Sequence, residues 1–220
     1  SIIRLLHAAP HGSLATQSRD FPGYPYLSVL PFVLDEHHFP VFLISGLAEH
    51  TRNLEADARA AMLVTGTVET DVQAAPRLTI LGEIRPFEPQ ADLIQRALRY
   101  HPTAARLLQL ADFHFARMRP ERLRYIAGFG QMGWLDGAAL GALPVLEPGA
   151  EVGLLAALSR RLPDAISLLG IDRWGIDLRS GTTRHRLPFT SPPLPDPALE
   201  PAVLSAVATL YAAGEPHLGH

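Results

Sequence analysis

Two residue types are missing from this 220-residue chain, cysteine and lysine. Without cysteine there is no thiol nucleophile, no disulfide framework and no cysteine-ligated zinc or iron–sulfur site. Without lysine, neither a Schiff base to pyridoxal phosphate nor the lysine of a Walker P-loop can form. All nineteen basic residues are arginines, so any bound anion must be held by arginine, hydroxyl groups or backbone N–H groups.

Long apolar runs and concentrated positive charge are also scarce. The longest apolar runs, such as residues 29–34, fall far short of the about 18 residues that a membrane span needs, and the first residues lack a signal-peptide pattern. The net charge is −3 and the arginines are scattered, whereas nucleic-acid binding usually requires a basic stripe. We therefore expect a cytoplasmic protein without membrane or nucleic-acid partners. Because the chain begins without methionine, a preceding leader is compatible with the sequence.

A strand followed by a helix is predicted over Val41–Asp57. Four apolar residues end at Ser45, and apolar residues recur at helical spacing from Leu54, with Thr51 expected to cap the helix. The polar residues at this junction are Ser45, His50, Thr51, Arg52 and Asn53. Hydroxyls, a guanidinium, an amide and a helix N-terminus together suit a phosphate monoester. The alternative is an ordinary strand–turn–helix with a solvated polar turn.

Three segments, in this order, resemble the FMN-binding split β-barrel family related to pyridoxamine 5′-phosphate oxidase. They are Gly12–Thr16 (GSLAT), Pro25–Ser28 (PYLS) and Leu43–Leu54 (LISGLAEHTRNL). Within that family, the haem-utilisation branch is the most similar. The family's lysine contacts to phosphate cannot exist here, which disfavours pyridoxamine 5′-phosphate oxidase itself.

The resemblance implies a cofactor site and a partner. In that family the strand-to-helix segment holds the FMN phosphate, so the polar cluster of residues 45–53 would bind FMN. Ser28 would hydrogen-bond the flavin, and Arg77 stands where the family often places a polar residue that reaches the partner's FMN. Two barrels pack face to face in the family, which implies a homodimer. A solvated arginine at a strand edge is the alternative for Arg77.

The order of elements predicts an α+β fold. Strand patterns occur at 12–16, 26–34, 41–44, 60–67, 77–87 and 123–127, and helical patterns occur at 2–9 and 91–110. Successive strands with late helical insertions favour an antiparallel, Greek-key-like split β-barrel, here over residues 1–143, rather than alternating βαβ units. A small α/β C-terminal domain is expected over residues 149–215, with strands at 174–178 and 184–189 and a final helix from Pro201.

The C-terminal domain resembles that of haem-utilisation relatives through residues 164–172 and 175–178. Those relatives carry a Met-Asn-x-Asp-His run just upstream, where this chain has Leu158–Leu162, so the histidine and carboxylate are absent. Relatives that degrade haem use a histidine in the tail as axial ligand, which makes His217 a candidate. A frayed terminus is the alternative.

Other motifs are weaker. Residues 128–133 spell GxGxxG with Glu147 downstream, but the following segment contains Gly137 and Gly141 and no second βαβ unit appears, which disfavours a dinucleotide fold. No metal site is predicted, because His37 and His38 are neighbours in a turn and HExxH is absent. No hydrolase motif occurs and no catalytic acid or base is indicated.

The sequence therefore predicts an FMN-binding flavoprotein, an oxidoreductase acting on a small-molecule redox substrate. Two alternatives stay open: a haem-binding or haem-degrading protein of iron utilisation, and a non-catalytic flavin-binding protein. In an FMN-binding oxidoreductase, the flavin performs the redox chemistry while the protein positions it and excludes water.

Overall fold

The computed structural model describes residues 1–66, 71, 73–128 and 131–212. The chain divides into two compact units, Ser1–Leu143 and Pro144–His220. No helix among the described residues is long and apolar enough to cross a membrane.

The first unit is a curled antiparallel sheet with helices at its ends. Its helices are α1 (Ile2–Ala8), α2 (Glu49–Ala56), α3 (Ala91–Tyr100), α4 (Ala104–Leu107) and α5 (Gly137–Gly141). Its strands are β1 (His11–Gln17), β2 (Pro25–Pro31), β3 (Val33–Leu34), β4 (Pro40–Ser45), β5 (Arg59–Thr65), β6 (Arg77–Pro86), β7 (Phe113–Gly128) and β8 (Gln131–Asp136). The strand order is β2-β1-β5-β6-β7-β4-β3, with β8 paired to β7. The α+β class and the antiparallel split β-barrel that the sequence predicts are confirmed.

Alternation along the strands builds the core of this sheet. In β6, Leu78, Ile80, Gly82 and Ile84 are buried, while Thr79, Leu81 and Glu83 between them are more exposed. Met62 of β5 and Met118 of β7 are paired with Ile80 and Ile84 respectively and are also fully buried. A period of two with apolar residues on one face is what a half-buried antiparallel strand requires.

The last part of the sheet is longer than the sequence predicts. A final strand is expected at 123–127, but β7 begins ten residues earlier and β8 follows it as an antiparallel partner. The GxGxxG motif therefore lies at a β-hairpin rather than between a strand and a helix, and its residues 129 and 130 lie outside the described residues. A dinucleotide fingerprint needs a helix at this point, so that alternative is wrong.

A β-bulge explains why the pattern of β7 is hard to read. The register with β6 shifts where Leu81 pairs with Arg122 and Gly82 pairs with Pro120. The extra residue reverses which alternate positions face outward. The outward positions before the bulge are Arg117 and Arg119, and those after it are Arg122 and Arg124. The bulge thus keeps four arginines on the outer face of one strand.

The second unit packs two helices against a small antiparallel sheet. Its elements are α6 (Pro148–Ser159), β9 (Ile166–Asp172), β10 (Gly175–Ser180), β11 (Thr183–Pro188) and α7 (Asp196–Ala212), with strand order β11-β10-β9. Its core includes Leu158, Ile176, Leu178, Leu199 and Val203. Strand β9 is absent from the sequence prediction, and α7 begins five residues before Pro201.

Residues that carry the C-terminal resemblance have structural roles here. Asp172 accepts hydrogen bonds from Trp174 N (2.7 Å) and Gly175 N (3.1 Å), and it forms a two-pronged ion pair with Arg186 at 2.7 and 2.9 Å. A Cβ at Gly175 would lie 2.4 Å from Leu187 O, so only glycine allows β10 and β11 to approach this closely. These residues stabilise the turn between β9 and β10.

Candidate functional site

The junction of β4 and α2 is anchored to the start of β7. Ser45 is the last residue of β4 and pairs with Phe113. Its Oγ donates a 2.5 Å hydrogen bond to Asp112 Oδ2 and accepts one from Leu47 N at 3.1 Å. Gly46 N donates to Asp112 O at 2.7 Å. The hydroxyl of Ser45 therefore fixes the turn, with both its donor and an acceptor position engaged.

Thr51 does not cap the helix, so that part of the prediction is wrong. Helix α2 begins at Glu49, its N-cap is Ala48, and no side chain caps it. Thr51 lies in the first turn, is buried, and donates from Oγ1 to Ser45 O at 2.6 Å. The chain turns into the helix two residues earlier than expected because backbone bonds from Ala48 N to Ser45 O and from Thr51 N to Ala48 O close the turn.

Asn53 is a buried connector between α2 and the sheet. Its exposure is 0%, its Nδ2 donates to Thr16 Oγ1 at 3.1 Å, and its Oδ1 accepts from Arg19 N at 2.9 Å. Both ends of the amide are therefore used inside the protein. The side chain ties the helix to β1 and to the loop that precedes β2.

His50 and Arg52 are the members of the cluster that keep unused polar atoms. His50 Nε2 is buried and has no hydrogen-bond partner in the part of the chain that the structure describes. Burial lowers the pKa of His50 below its ordinary value of 6.5, so the ring is neutral at pH 7. Arg52 Nη2 pairs with Glu49 Oε2 at 3.1 Å, whereas its buried Nε lacks a partner among the described residues. These two buried polar atoms are therefore unsatisfied among the described residues, and a ligand that reached them would supply their missing partners.

The other predicted site residues lie on separate elements. Ser28 is in β2 opposite Leu14, and its buried Oγ has no partner within the described ranges. Arg77 begins β6 and donates from Nη1 to Gln73 O at 3.0 Å, which holds the preceding loop, and its contact with a partner's FMN stays a prediction. His217 lies outside the described residues.

Exposed apolar side chains occur on the segments beside α2. The loop before β2 carries Phe21 and Tyr24, and it is bound to α2 by the hydrogen bond from Arg19 N to Asn53. Leu27 of β2 and Leu47 of the β4–α2 turn are also largely exposed. The polar cluster is therefore flanked by apolar surface that could cover part of a flat, largely apolar ligand.

Asp112 is the site residue that sequence reasoning missed. It lies 67 residues from Ser45 and comes beside it because β4 and β7 are antiparallel neighbours. Only knowledge of this strand pairing would have identified it, since nothing local marks this aspartate.

The chain is similar in sequence to two proteins that are named haem oxygenases. The chain is 32% identical over 137 residues to haem oxygenase HutZ of Vibrio cholerae, which covers 59% of this chain and 77% of that protein. It is 30% identical over 126 residues to the chloroplastic haem oxygenase HOZ of Arabidopsis thaliana, covering 56% of this chain but only 38% of the plant protein.

Solved structures match over nearly the whole chain. A haem-binding protein from Mycobacterium smegmatis is 27% identical, with a TM-score of 0.60 and 96% of each chain covered. Protein Atu2129 of Agrobacterium tumefaciens, of unknown function, is 24% identical with a TM-score of 0.68, and it supports the fold alone. The model of the CREG β-barrel family matches residues 3–139, which include all of the elements described for the candidate site. The chain therefore belongs to the CREG β-barrel family, with a split barrel of the type found in pyridoxamine 5′-phosphate oxidase relatives.

Proposed function

We propose that this protein binds haem and acts in haem utilisation. The observation that carries the proposal is the match to the haem-binding protein of Mycobacterium smegmatis, which extends over 96% of both chains at 27% identity. The similarity to haem oxygenase HutZ over 77% of that protein agrees with it. These relatives favour haem over FMN, the cofactor that the sequence analysis placed first.

The candidate site contains a histidine that could bind haem iron. A histidine that binds haem iron must present an unprotonated ring nitrogen. His50 is neutral at pH 7 because burial lowers its pKa, and its Nε2 has no other partner among the described residues. Within the described part of the chain, we assign His50 as the candidate ligand. His217, outside that part, remains the second candidate.

The residues near His50 suit the porphyrin ring and the propionates of haem. Exposed Tyr24, Leu27 and Leu47 offer apolar surface for a porphyrin, and Arg52 supplies a cation for a propionate. Bound haem would supply the iron at which oxygen chemistry takes place. The chain's own residues would bind it, orient it and exclude water from it.

Flavin binding is the second candidate, and one observation favours it. Arg52 and His50 retain buried polar atoms without partners in the described structure, beside the first turn of α2, where a phosphate would be attracted. Three polar side chains of the cluster already form hydrogen bonds within the protein, those of Ser45, Thr51 and Asn53. Fewer hydrogen-bond donors are therefore left for a phosphate than the sequence predicts. In this case the protein would be an oxidoreductase for a small-molecule substrate.

A homodimer accompanies either cofactor in our proposal. Strand β2 lies at the edge of the sheet, and two of its apolar side chains, Leu27 and Val29, are 65% and 64% exposed. Exposed apolar residues on an unpaired edge strand are a liability unless another chain covers them. A second copy of this protein is the partner that the split-barrel resemblance implies.

Haemin titration of three histidine variants tests the ligand assignment. Wild-type protein, His50→Ala, His217→Ala and the control His11→Ala would be followed by Soret absorption and by the low-temperature electron paramagnetic resonance spectrum of the ferric complex. We expect His50→Ala to lose the spectrum of an imidazole-ligated haem while His11→Ala, on an exposed position, retains it.

Two outcomes would revise the account in defined ways. A spectrum lost only in His217→Ala would transfer the axial role to the C-terminal tail and remove His50. Absence of haemin binding by the wild type, with FMN uptake that Arg52→Ala weakens by about 1.5–3 kcal/mol, would replace haem with flavin.

A further inference from the structure

A cavity lined by charged and apolar side chains lies on the outer face of the sheet, at the C-terminal end of β6 and on the neighbouring part of β7. It has a volume of about 300 Å³. Its lining residues are Glu83, Arg85, Pro86, Phe87, Arg117 and Arg119. None of its lining residues belongs to the 45–53 cluster.

The cavity carries an excess of positive charge. Three guanidinium groups face one carboxylate, that of Glu83, which pairs with Arg85 at 3.0 Å. Arg119 stands opposite Glu83 across the two strands but forms no ion pair in the described part of the chain. Arg117 also pairs with the Asp35 carboxylate at 3.4 Å, so the three guanidinium groups keep an excess of one positive charge that can attract an anion. Arginine is the residue that best matches carboxylate and phosphate geometry.

Arg117 is held in place before any ligand arrives. Its guanidinium lies over the ring of Phe87, 4.6 Å from the centroid, and its Nη1 is 3.4 Å from Asp35 Oδ2. The contact with Asp35 is long, so most of the hydrogen-bonding capacity of this guanidinium remains for a ligand. Stacking on an aromatic ring reduces the side-chain entropy that binding would otherwise remove.

The bulge between β6 and β7 creates this arrangement. A Cβ at Gly82 would lie 2.1 Å from Arg119 O, so glycine is required where β7 crosses closest to β6. Beyond this point Glu83 pairs with Arg119 and Arg85 pairs with Arg117, which places the four charged groups in two adjacent rows. Strand pairing at the bulge thus sets the positions from which these side chains extend.

We propose that this cavity binds a small dianion, a phosphate monoester or a dicarboxylate, that also carries an apolar group. Arg117 and Arg119 bind the two negative charges, and Phe87 with Pro86 provides the wall for the apolar group. The site is separate from the 45–53 cluster. Ser45 pairs with Phe113 and Val41 with Arg117, so four residues of β7, about 13 Å, separate the two places.

Isothermal titration calorimetry of the full chain at constant ionic strength tests the proposal. Phenyl phosphate and phthalate are the probes, since both combine a dianion with an aromatic ring, and inorganic phosphate lacks the ring. We expect one probe of the pair to bind with one-to-one stoichiometry and more tightly than inorganic phosphate. The tighter of the two identifies the natural ligand as a phosphate ester or a dicarboxylate.

Three variants locate the binding. Arg119→Gln should weaken the preferred probe about 10- to 100-fold, since it removes a charge-assisted contact. Phe87→Leu should abolish the advantage of the aromatic probe over inorganic phosphate. Arg4→Gln, which removes an exposed arginine of α1, should leave affinity unchanged.

Several results would overturn the proposal. These are absence of binding by both aromatic dianions, equal weakening by Arg119→Gln and Arg4→Gln, and loss of haemin binding in Arg119→Gln without dianion binding by the wild type. The last result would make these arginines part of the haem site. Arg119 is exposed, and an unchanged melting temperature of its variant would exclude misfolding as the cause.

Discussion

Neighbouring residues of α2 have opposite roles although the sequence groups them as one cluster. Asn53 faces the sheet and is fully buried, whereas Arg52 is 42% exposed in its side chain and keeps an unpaired Nε. Because successive helical residues point about 100° apart, one of the two faces the interior while the next reaches the surface. The chemistry of a residue type alone does not separate these two roles.

Replacing Asn53 tests whether this side chain stabilises the fold. Asn53→Ala would leave Thr16 Oγ1 and Arg19 N without their partner, so the free energy of unfolding should fall by about 1–3 kcal/mol. Arg52→Ala, the matched control, removes only an exposed ion pair and should cost less than about 1 kcal/mol. Urea denaturation of both variants measures these changes. Equal loss in the two would contradict the assignment.

Asp35 should make stability depend on pH. Burial is the main cause that raises its pKa above the ordinary value of 3.8, although hydrogen bonds from Phe39 N and His37 N and the charge of Arg117 oppose the shift. The folded state then retains the proton over a range where the unfolded chain has lost it, so stability falls as pH rises from about 3.8 through the raised pKa.

The variant Asp35→Asn isolates this effect, because asparagine stays neutral and its oxygen can still accept the two backbone hydrogen bonds. We expect urea denaturation to show that the stability of the wild type relative to Asp35→Asn decreases as pH rises from about 3.8 through the raised pKa. A relative stability that increases with pH would mean that the ion pair with Arg117 outweighs burial.

The β6–β7 pair depends on the glycine at its bulge. In Gly82→Ala, the new Cβ would lie 2.1 Å from Arg119 O and 2.9 Å from Arg119 C, so the strands must separate. We expect a loss of about 1–3 kcal/mol in the free energy of unfolding. Gly133→Ala in β8 is the control, because its Cβ would meet nothing within 4 Å and should be nearly neutral. An unchanged free energy of unfolding in Gly82→Ala would show that β6 and β7 can separate at this point without loss of stability.

Strands with uninterrupted alternation were predictable, and strands with a local irregularity were not. The pattern of Leu78, Ile80 and Ile84 identified β6 because its buried positions keep one period over the whole strand. In β7 the bulge reverses the period at Pro120, and outward arginines conceal the strand. In β9 residues 168–172 are all buried, and a continuous apolar run does not distinguish a strand from a helix.

The junction of β4 and α2 was predictable, but its contacts were not. The change from apolar to polar residues identified this junction of strand and helix, and its role as the cofactor site stays a prediction. The residues that fix the turn, Asp112 and Thr16, are distant in sequence and come close only through strand pairing. The predicted cap at Thr51 was wrong because backbone hydrogen bonds, which leave no trace in side-chain composition, begin α2 at Glu49.

The proposed homodimer would form through strand β2. Two copies related by a two-fold axis would cover the exposed apolar residues of β2. We expect sedimentation velocity to give twice the mass of the chain, and Val29→Arg to shift the protein to a monomer because it places a charge in the interface. Leu110→Arg, at another exposed apolar position, is the control. A monomeric wild type would contradict the proposed dimer.

Haem binding is the central claim, since it joins the relatives, the neutral His50 and the apolar surface beside α2. The most direct test is the visible absorption spectrum of the purified full chain titrated in parallel with haemin and with FMN. We expect a Soret band that saturates at one haem per chain, with weaker or no uptake of FMN. Saturable FMN binding without a Soret band would contradict it and assign the site to flavin.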